Sequence, residues 1–399
     1  LKSWVMKSNY KRLGNYIQEL KVRNTEQKVE KLLGINIDKF FMPSVANVVG
    51  TDLSVYKIVK KNQFACNRMH VGRDYRLPIS MSKINEEFIV SPAYDVFEIT
   101  DTKVLNPEYL MMWFTRREFD RNTWFYTDAD VRGGLPWKSF CDLQLPIPHP
   151  DEQREIVKEY NTIQNRIALN QQLIKKLEET AQAIYREWFV EFEFPDKKGK
   201  PYKSNGGEMV WCEELGKNIP KWWKKCILKD ISNCHDFKRR PLSEEERNDF
   251  KGFYPYYGAM GIVDYVLEYL FDGEYLLFSE DGVNVITEKG YPSVFLINEK
   301  FWVNNHAHIL EGKDGYSTRL LYCMLKEVNV SDLVTGAAQP KINQENMNSI
   351  SLVKPELDIS FNFNKIIHPM FNTIQIKSKE NLKLSELKEL LLSKLATVE

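Results

Sequence analysis

The sequence predicts an α+β fold built from two similar α/β units, each followed by a long helix. Three observations lead to this prediction. Residues 161–164 (Asn-Thr-Ile-Gln) recur letter for letter as residues 372–375, which is 211 positions later. Both copies lie in long segments whose apolar residues have helical spacing. The string Leu-Pro-Ile-Pro at 145–148 precedes the first segment, and Leu-Val-Lys-Pro at 352–355 precedes the second. A chain of 399 residues has room for two such units.

Residues 1–150 are predicted to form the first globular unit. Short apolar runs such as 88–90 and 94–99 alternate with turn residues, which is typical of strands. One helix is indicated at 106–114. Asn106 suits the N-cap, Pro107 the first helical position, and Glu108 the first turn, where a negative charge is favourable.

Residues 151–195 are predicted to form the first long helix, because no proline or glycine occurs between Asp151 and Pro195. With Asn170 filling one position, the apolar residues follow a 4-3-4-3 spacing that is typical of a coiled coil. These apolar positions are Ile156, Tyr160, Ile163, Ile167, Ile174, Leu177, Ala181, Ile184 and Trp188. A lone asparagine in such a seam costs stability but fixes register and partner.

The second half repeats this plan. Residues 196–220 are rich in Gly, Lys and Pro and are predicted to be a linker. Residues 221–355 are predicted to form the second globular unit, with strands near 274–278 and 293–297 and a turn-rich loop at 254–261. Residues 356–399 are predicted to form the second long helix, whose seam is interrupted by Lys377 and Lys388.

We expect the two long helices to pair as an antiparallel coiled coil with internal pseudo-two-fold symmetry. The residues predicted to form the pair and to dock partners are Ile163, Ile167, Asn170, Ile174, Ile374 and Asn381. Two alternatives stay open at this point. Each helix could merely cap its own unit, or the seam could form a homodimer.

Composition excludes several classes of protein. No run of 18 apolar residues is present, which argues against a membrane span. The six cysteines are far apart and match no standard zinc spacing, so we expect free thiols in a reducing cytoplasm and no metal site. The formal net charge is zero, so charge alone does not indicate a nucleic-acid partner but leaves room for local basic surfaces.

The sequence also lacks the common catalytic motifs. No phosphate-binding loop, nucleophile elbow or metalloprotease helix occurs. Asn106-Pro107 resembles part of an amino-methyltransferase motif, but a helix start explains it better. His306 and His308 alternate on a predicted strand, and we expect hydrogen-bonded structural histidines there. We therefore predict no catalytic residue.

Binding chemistry remains, and both halves contain candidate clusters. Arginine suits phosphates and guanine edges, and glycine lets backbone approach a ligand closely. The predicted DNA-contacting residues of the first unit are Arg68, His70, Arg73, Arg76, Arg132 and Lys138. Those of the second unit are Tyr257, Asn304, Gln339 and Lys341.

The order of elements resembles the specificity subunit of type I restriction–modification systems. Residues 254–262, 271–277 and 336–342 look like that family's target-recognition domains. Residues 145–148 followed by 151–156 (Asp-Glu-Gln-Arg-Glu-Ile) look like the entry to its central helix. The second helix departs from the pattern, because it lacks the Glu-Gln pair.

The resemblance implies a subunit that performs no catalysis. Each target-recognition domain would read one half of a split, asymmetric double-stranded DNA site, and the helix pair would set the spacer between the halves. The implied partners are two methyltransferase subunits, which use S-adenosylmethionine, and restriction subunits, which use ATP and Mg²⁺. The competing interpretations are a self-contained DNA methyltransferase or nuclease fusion and a protein-binding coiled-coil scaffold.

Overall fold

The structure, a computed structural model, describes residues 10–45, 50–69, 71–127, 133–336 and 339–397. The chain divides into two compact units. Unit 1 contains residues 1–169 and 380–399, and unit 2 contains residues 170–379. Each unit therefore includes one stretch of each long helix. No helix within the described ranges is both long and apolar enough to cross a membrane.

Unit 1 is built on short strands and four short helices. Its described strands are β1 (Tyr10–Arg12), β2 (Ile17–Leu20), β3 (Leu33–Ile35), β4 (Phe41–Pro43), β5 (Lys57–Val59), β6 (Phe64–Cys66), β7 (Ile79–Met81), β8 (Phe88–Val90), β9 (Asp95–Ile99) and β10 (Gln144–Pro146). Its described short helices are α1 (Val71–Asp74), α2 (Pro107–Phe114), α3 (Arg117–Phe125) and α4 (Trp137–Asp142).

The main sheet of unit 1 has the strand order β2-β9-β6-β7, with antiparallel neighbours. Aromatic residues fill the core beside it. The rings of Phe64 and Phe97 stack with centroids 5.1 Å apart, and Phe114 of α2 meets both rings edge-on. The predicted start of α2 is confirmed, because the Asn106 side chain accepts hydrogen bonds from the amides of Glu108 and Tyr109.

The first long helix, α5 (Pro150–Tyr185), continues into one π-helical turn over Arg186–Val190. All nine apolar seam positions predicted from the sequence, and Asn170, are buried or half-buried. The antiparallel pairing is confirmed inside each unit. In unit 1, Val157 near the start of α5 shares a core with Leu392 and Leu395 near the chain's end. In unit 2, Tyr185 near the end of α5 packs edge-on against Phe363.

Unit 2 has a larger sheet. Its described strands are β11 (Met209–Cys212), β12 (Lys217–Pro220), β13 (Lys224–Ile227), β14 (Ser232–Cys234), β15 (Lys251–Gly258), β16 (Gly261–Val266), β17 (Phe271–Ser279), β18 (Val294–Val303), β19 (Ala307–Gly312) and β20 (Ser351–Lys354). Its described helices are α6 (Leu228–Ile231), α7 (Glu244–Asp249), α8 (Thr318–Leu325), α9 (Gln344–Asn348) and the second long helix, α10 (Leu357–Lys394).

The six-stranded sheet of unit 2 has the order β14-β19-β17-β18-β15-β16. Only the β15–β18 pair is parallel among its described pairs. The sequence-based prediction of a loop over 254–261 was wrong for residues 254–258, which belong to β15. Pro255 lies opposite Tyr265 of β16, and pairing with β18 begins one residue later, at Tyr256. The segment predicted as a linker contains the β11–β12 hairpin.

The repeat is visible in the helices as well as in the sequence. Adding 211 to the bounds of α2, 107 and 114, gives 318 and 325, the bounds of α8. Both helices begin after a residue whose side chain caps the first turn, Asn106 in one case and Ser317 in the other. The two units therefore share a helical element at the spacing of the sequence repeat.

Candidate nucleic-acid interface

Arg68 ties the end of β6 to the segment before α4. Its Nε lies 2.7 Å from Asp95 Oδ2, its Nη1 donates to the carbonyl of Leu135, and its guanidinium lies 5.5 Å from the Trp137 ring centroid. Only 18% of the Arg68 side chain is exposed. This predicted DNA contact thus holds two segments of unit 1 together.

Two glycines, Gly72 of α1 and Gly133, allow two backbone segments of unit 1 to meet. The Gly72 amide donates to the Gly133 carbonyl at 2.7 Å. A Cβ on Gly72 would lie 2.7 Å from the Gly133 Cα, which is closer than real Cβ contacts. Glycine is therefore needed on both sides of this contact. The sequence predicted close approach of a ligand at these glycines, and that prediction stays untested.

Arg73 and Arg76 lie on the surface beside this contact. Arg73 binds both carboxylate oxygens of Asp74, at 2.6 and 3.0 Å, and 68% of its side chain is exposed. The hydrogen bond to Asp74 raises the pKa of Arg73 above its ordinary value. Arg76 pairs with Asp38 at 2.9 Å and is half exposed.

The other predicted contacts of unit 1 are less defined. Lys138 is exposed on α4. His70 and Arg132 lie outside the described residues. Among the described positions, Arg73 and Arg76 lie three residues apart in the sequence and are both exposed, whereas Arg68 faces inward.

In unit 2, the predicted contacts gather around the ends of β15, β17 and β18. The Asn304 amide donates to the Tyr257 carbonyl at 3.0 Å, and its side chain accepts from the His306 amide at 2.8 Å. Lys341 pairs with Glu280 at 3.0 Å, and Gln339 is exposed nearby in sequence. The backbone of Glu280 joins the loops that carry Asn304 and Lys341. Its amide donates to the His306 carbonyl, and its carbonyl accepts from the Ile342 amide, both at 2.9 Å.

Tyr257 is buried and does not present its hydroxyl to solvent. Its hydroxyl donates to Glu299 at 2.7 Å, and only 7% of the residue is exposed. Burial, followed by this hydrogen bond, raises the pKa of Tyr257 far above its ordinary value. Tyr257 of β15 packs in a buried core with Phe271 and Phe301.

A buried ionic network lies beneath these loops, and sequence reasoning did not find it. His308 Nδ1 lies 2.6 Å from Asp236 Oδ2, and its Nε2 lies 2.9 Å from the Ile342 carbonyl. Arg239 binds Glu280 at 2.5 Å and Asp236 at 3.1 Å. The expectation of a hydrogen-bonded histidine was correct for His308, but its partners are 34 and 72 positions away.

The network's chemistry argues against a metal ion. Asp236, Glu280 and His308 place one ligand atom each within 4.8 Å of the others. Both ring nitrogens of His308 already have hydrogen-bond partners, Asp236 at Nδ1 and the Ile342 carbonyl at Nε2, so neither is directed at an open position between the carboxylates. Arg239 and Lys341 already neutralise the carboxylates.

Ionisation of the two carboxylates is stabilised despite their burial. Burial opposes the charge on Asp236, but hydrogen bonds from His308 and the Ile309 amide outweigh it and lower its pKa. Burial also opposes the charge on Glu280, and Arg239 and Lys341 reverse that effect, so its pKa is lowered too. The carboxylates beneath the loops that carry Asn304 and Lys341 are therefore ionised at neutral pH.

An exposed arginine and aromatic surface on α3 also escaped the sequence analysis. Arg117, Arg121, Trp124 and Phe125 are exposed, whereas Phe119 and Thr123 are buried. The spacing of the exposed set is i, i+4, i+7 and i+8, which is one helix face. That spacing is readable in the sequence, and it could have found this surface.

The predicted helix-pair residues lie in the seam. Ile167 and Asn170 are 9% and 2% exposed, and Ile163, Ile174, Ile374 and Asn381 are half-buried. In unit 1 the seam opens into a groove of about 560 Å³. The groove is lined by Glu155, Lys158, Glu159, Thr162, Ile163, Leu387, Leu390, Leu391 and Lys394.

Comparison with known proteins identifies a related family. Residues 220–386 match the type I restriction modification DNA specificity domain. The chain is 32% identical over 158 residues to the putative type I restriction enzyme specificity subunit S.HindORF215P of Haemophilus influenzae, covering 40% of this chain and 39% of that protein. It is 23% identical over 291 residues to the MjaIX specificity subunit of Methanocaldococcus jannaschii, covering 67% and 64%.

Two further matches extend over nearly the whole chain. The HindI specificity subunit of Haemophilus influenzae is 21% identical over 431 aligned positions, covering 90% of this chain and 91% of that protein. The crystal structure of a type I restriction-modification S subunit from M. genitalium matches with a TM-score of 0.58, at 15% identity and 98% coverage of both chains. The alignments thus span under two thirds of the first two relatives and most of the others.

Proposed function

We propose that this chain, which is similar to the specificity subunits of type I restriction–modification systems, recognises the DNA target of such a system. Each unit reads one half of a bipartite, asymmetric double-stranded site. The chain itself catalyses no reaction. Methylation of adenine in each half-site, and any cleavage, belong to its partners.

The observation that carries this proposal is the repeat of one module with two different surfaces. α2 and α8 are related by the same 211-residue spacing as the sequence repeat. The exposed residues of the two units differ. Unit 1 exposes Arg73 and Arg76, while unit 2 exposes Gln339 and Lys341 over a buried ionic network. Two units with a shared helical element but different exposed side chains would contact different bases, as two unlike half-sites require.

The long helices supply the spacer and the docking surface for partners. In unit 1, Leu387 and Leu390 are 49% and 59% exposed beside the groove at Ile163. An exposed apolar stripe of this kind suits a helical face of another protein. We assign it to one of two methyltransferase subunits, which bring S-adenosylmethionine. Restriction subunits, which bring ATP and Mg²⁺, complete the assembly.

Methylation mapping of host DNA, with the gene present and then deleted, tests the proposal. We expect a bipartite motif with adenine methylated in both half-sites, and we expect this methylation to disappear on deletion. Methylation that persists unchanged would contradict the proposal if the chain is expressed and co-purifies with a methyltransferase.

The isolated chain provides a second test, which addresses the enzyme alternative. We expect no binding of S-adenosylmethionine to the purified chain and binding to its complex with the methyltransferase. Binding by the chain alone would favour the self-contained methyltransferase. A complex that prefers no DNA sequence would favour a protein-binding scaffold.

A further inference from the structure

We propose that the exposed face of α3, together with Tyr75, is a DNA-contacting surface of unit 1. In this surface Arg117 and Arg121 bind backbone phosphates, and Trp124 and Phe125 make apolar contacts with sugars and base edges. The inference rests on the proposed function, and it adds four α3 residues and Tyr75 to the predicted contacts.

The charges on α3 are the first line of support. The helix contains two carboxylates, and each already has a cationic partner outside the helix. Glu118 lies 3.5 Å from Arg116, and Asp120 lies 2.7 Å from Lys39. Within the described ranges, no carboxylate lies within ion-pair distance of Arg117 or Arg121. The face therefore presents two uncompensated guanidinium groups, although the whole chain has no net charge.

The exposed aromatic rings are the second line of support. Phe125 is 78% exposed, Trp124 46% and Tyr126 51%. A cluster of exposed aromatic rings is typical of a surface that another molecule covers. Rings interleaved with arginine are the combination that proteins use on nucleic acid, where rings stack on bases or wedge against them while cations hold the phosphates.

The backbone at Tyr75 is the third line of support. Tyr75 has a φ of +56°, in the left-handed region that residues with side chains rarely adopt. Its ring is 61% exposed and lies 5.3 Å from the Trp124 ring, centroid to centroid, at 63°. Strain of this kind persists where the surroundings fix it, and it clusters at ligand-binding positions. Here it holds the exposed Tyr75 ring against Trp124 of the α3 face, directly after Arg73 and Asp74.

Duplex DNA suits this surface better than a protein partner does. Three acidic side chains line a cavity together with Arg117, namely Asp38, Asp120 and Glu389. Asp38 and Asp120 are paired with Arg76 and Lys39, and Lys388 lines the same cavity as Glu389. The local excess of charge is therefore positive and complementary to phosphate. The surface is also specific to unit 1. Residues 328–336, which lie 211 positions after residues 117–125, contain no arginine and no aromatic residue.

The test uses the chain assembled with its methyltransferase partner and a duplex that carries the mapped motif. The double variant Arg117→Ala/Arg121→Ala should reduce the slope of log affinity against log salt by about 1.8, since each phosphate contact contributes about 0.9. The variant Phe125→Ala should weaken binding about five- to tenfold and leave the salt slope unchanged. Arg117→Lys/Arg121→Lys should retain the salt slope, because the charges remain.

Matched controls come from exposed residues elsewhere in the chain. Lys103→Ala removes an exposed cation of unit 1, and Trp211→Ala removes a ring that is 62% exposed in unit 2. Neither should change affinity or salt slope. Unchanged binding by the double variant would overturn the inference while leaving the proposed function intact. Loss of partner assembly with an unchanged salt slope would assign the α3 face to a protein contact. Absence of DNA binding by the wild-type complex would overturn both.

Discussion

Arg319 Nη2 donates a hydrogen bond of 3.0 Å to Oδ1 of Asn372, and this pair matches a pair in the other unit. Subtracting 211 from each number gives Glu108 and Asn161, whose side chains also bond, at 2.7 Å. The asparagine accepts from arginine in unit 2 and donates to glutamate in unit 1. An asparagine amide can donate or accept a hydrogen bond. The same contact between a short helix and a long helix is therefore made with an arginine in unit 2 and with a glutamate in unit 1.

The two pairs should differ in how much they stabilise the protein. Arg319 is 5% exposed and also binds Glu274 at 2.7 Å and the His368 carbonyl at 3.0 Å. Arg319→Met should lower the free energy of unfolding by about 3–5 kcal/mol, because it leaves a carboxylate and a carbonyl without their donor. Asn161→Ala should cost only about 0.5–1.5 kcal/mol. Urea unfolding followed by circular dichroism measures both, and equal losses would contradict this ranking.

Gln153 should be the most sensitive position at the start of α5. It is completely buried, accepts from the Asn106 amide at 2.8 Å, and donates to the carbonyls of Val104 and Pro148, both at 2.8 Å. Gln153→Ala should lower the melting temperature, since each buried group left unpaired costs about 1–3 kcal/mol. The exposed neighbour Glu152 offers a control, and Glu152→Ala should have little effect. Equal melting temperatures for the two variants would exclude this role.

Among the DNA contacts predicted from the sequence, Arg73 is the clearest candidate for reading a base. Arg73→Ala should weaken specific DNA binding by about 1–3 kcal/mol if its guanidinium reads a base. Asp74 competes for the same group in the unbound protein, so Asp74→Asn should preserve or strengthen binding. Arg68→Ala serves as a comparison, because its inward ion pair predicts a loss of stability instead. Unchanged affinity and an unchanged methylation motif would remove Arg73 from the interface.

Local signals explain which features could be predicted from the sequence. Asn106 and Pro107 define the start of α2 by capping chemistry that needs only adjacent residues. The α5 seam follows from periodicity alone. In contrast, β15 escaped prediction at residues 254–258 because Pro255 and Gly258 are typical of turns. Only its neighbours β16 and β18 show that a strand fits there.

The candidate site was less predictable, because partners decide what its side chains do. Arg68 and Arg73 have similar sequence surroundings. In the structure, Arg68 pairs with Asp95 and is largely buried, whereas Arg73 pairs with Asp74 and is exposed. His308 acquires its role from Asp236 and Ile342, which lie 72 and 34 positions away. Distances of this kind are set by sheet pairing, which a single sequence does not specify.

The buried network predicts that acid destabilises unit 2. The pKa values of Asp236 and Glu280 are lowered in the folded protein, whereas in the unfolded chain they titrate at about 4. The folded state therefore binds fewer protons than the unfolded state in this range. Their stabilising contribution is fully present above about pH 5 and is lost as pH falls through the folded pKa values. We expect the urea midpoint of the wild type to fall as the pH is lowered from about 5 to about 3.

Variants of the network separate this effect from general acid sensitivity. Asp236→Asn and Glu280→Gln should be less stable than the wild type at pH 7, because the buried Arg239 guanidinium loses an anionic partner in each case. Their further loss between about pH 5 and about pH 3 should be smaller, because the titrating group is gone. Asp332→Asn, at an exposed carboxylate, should keep the wild-type pH dependence. If the variants lost as much stability on acidification as the wild type, these carboxylates would not be the source, since linkage requires a group whose pKa changes on folding.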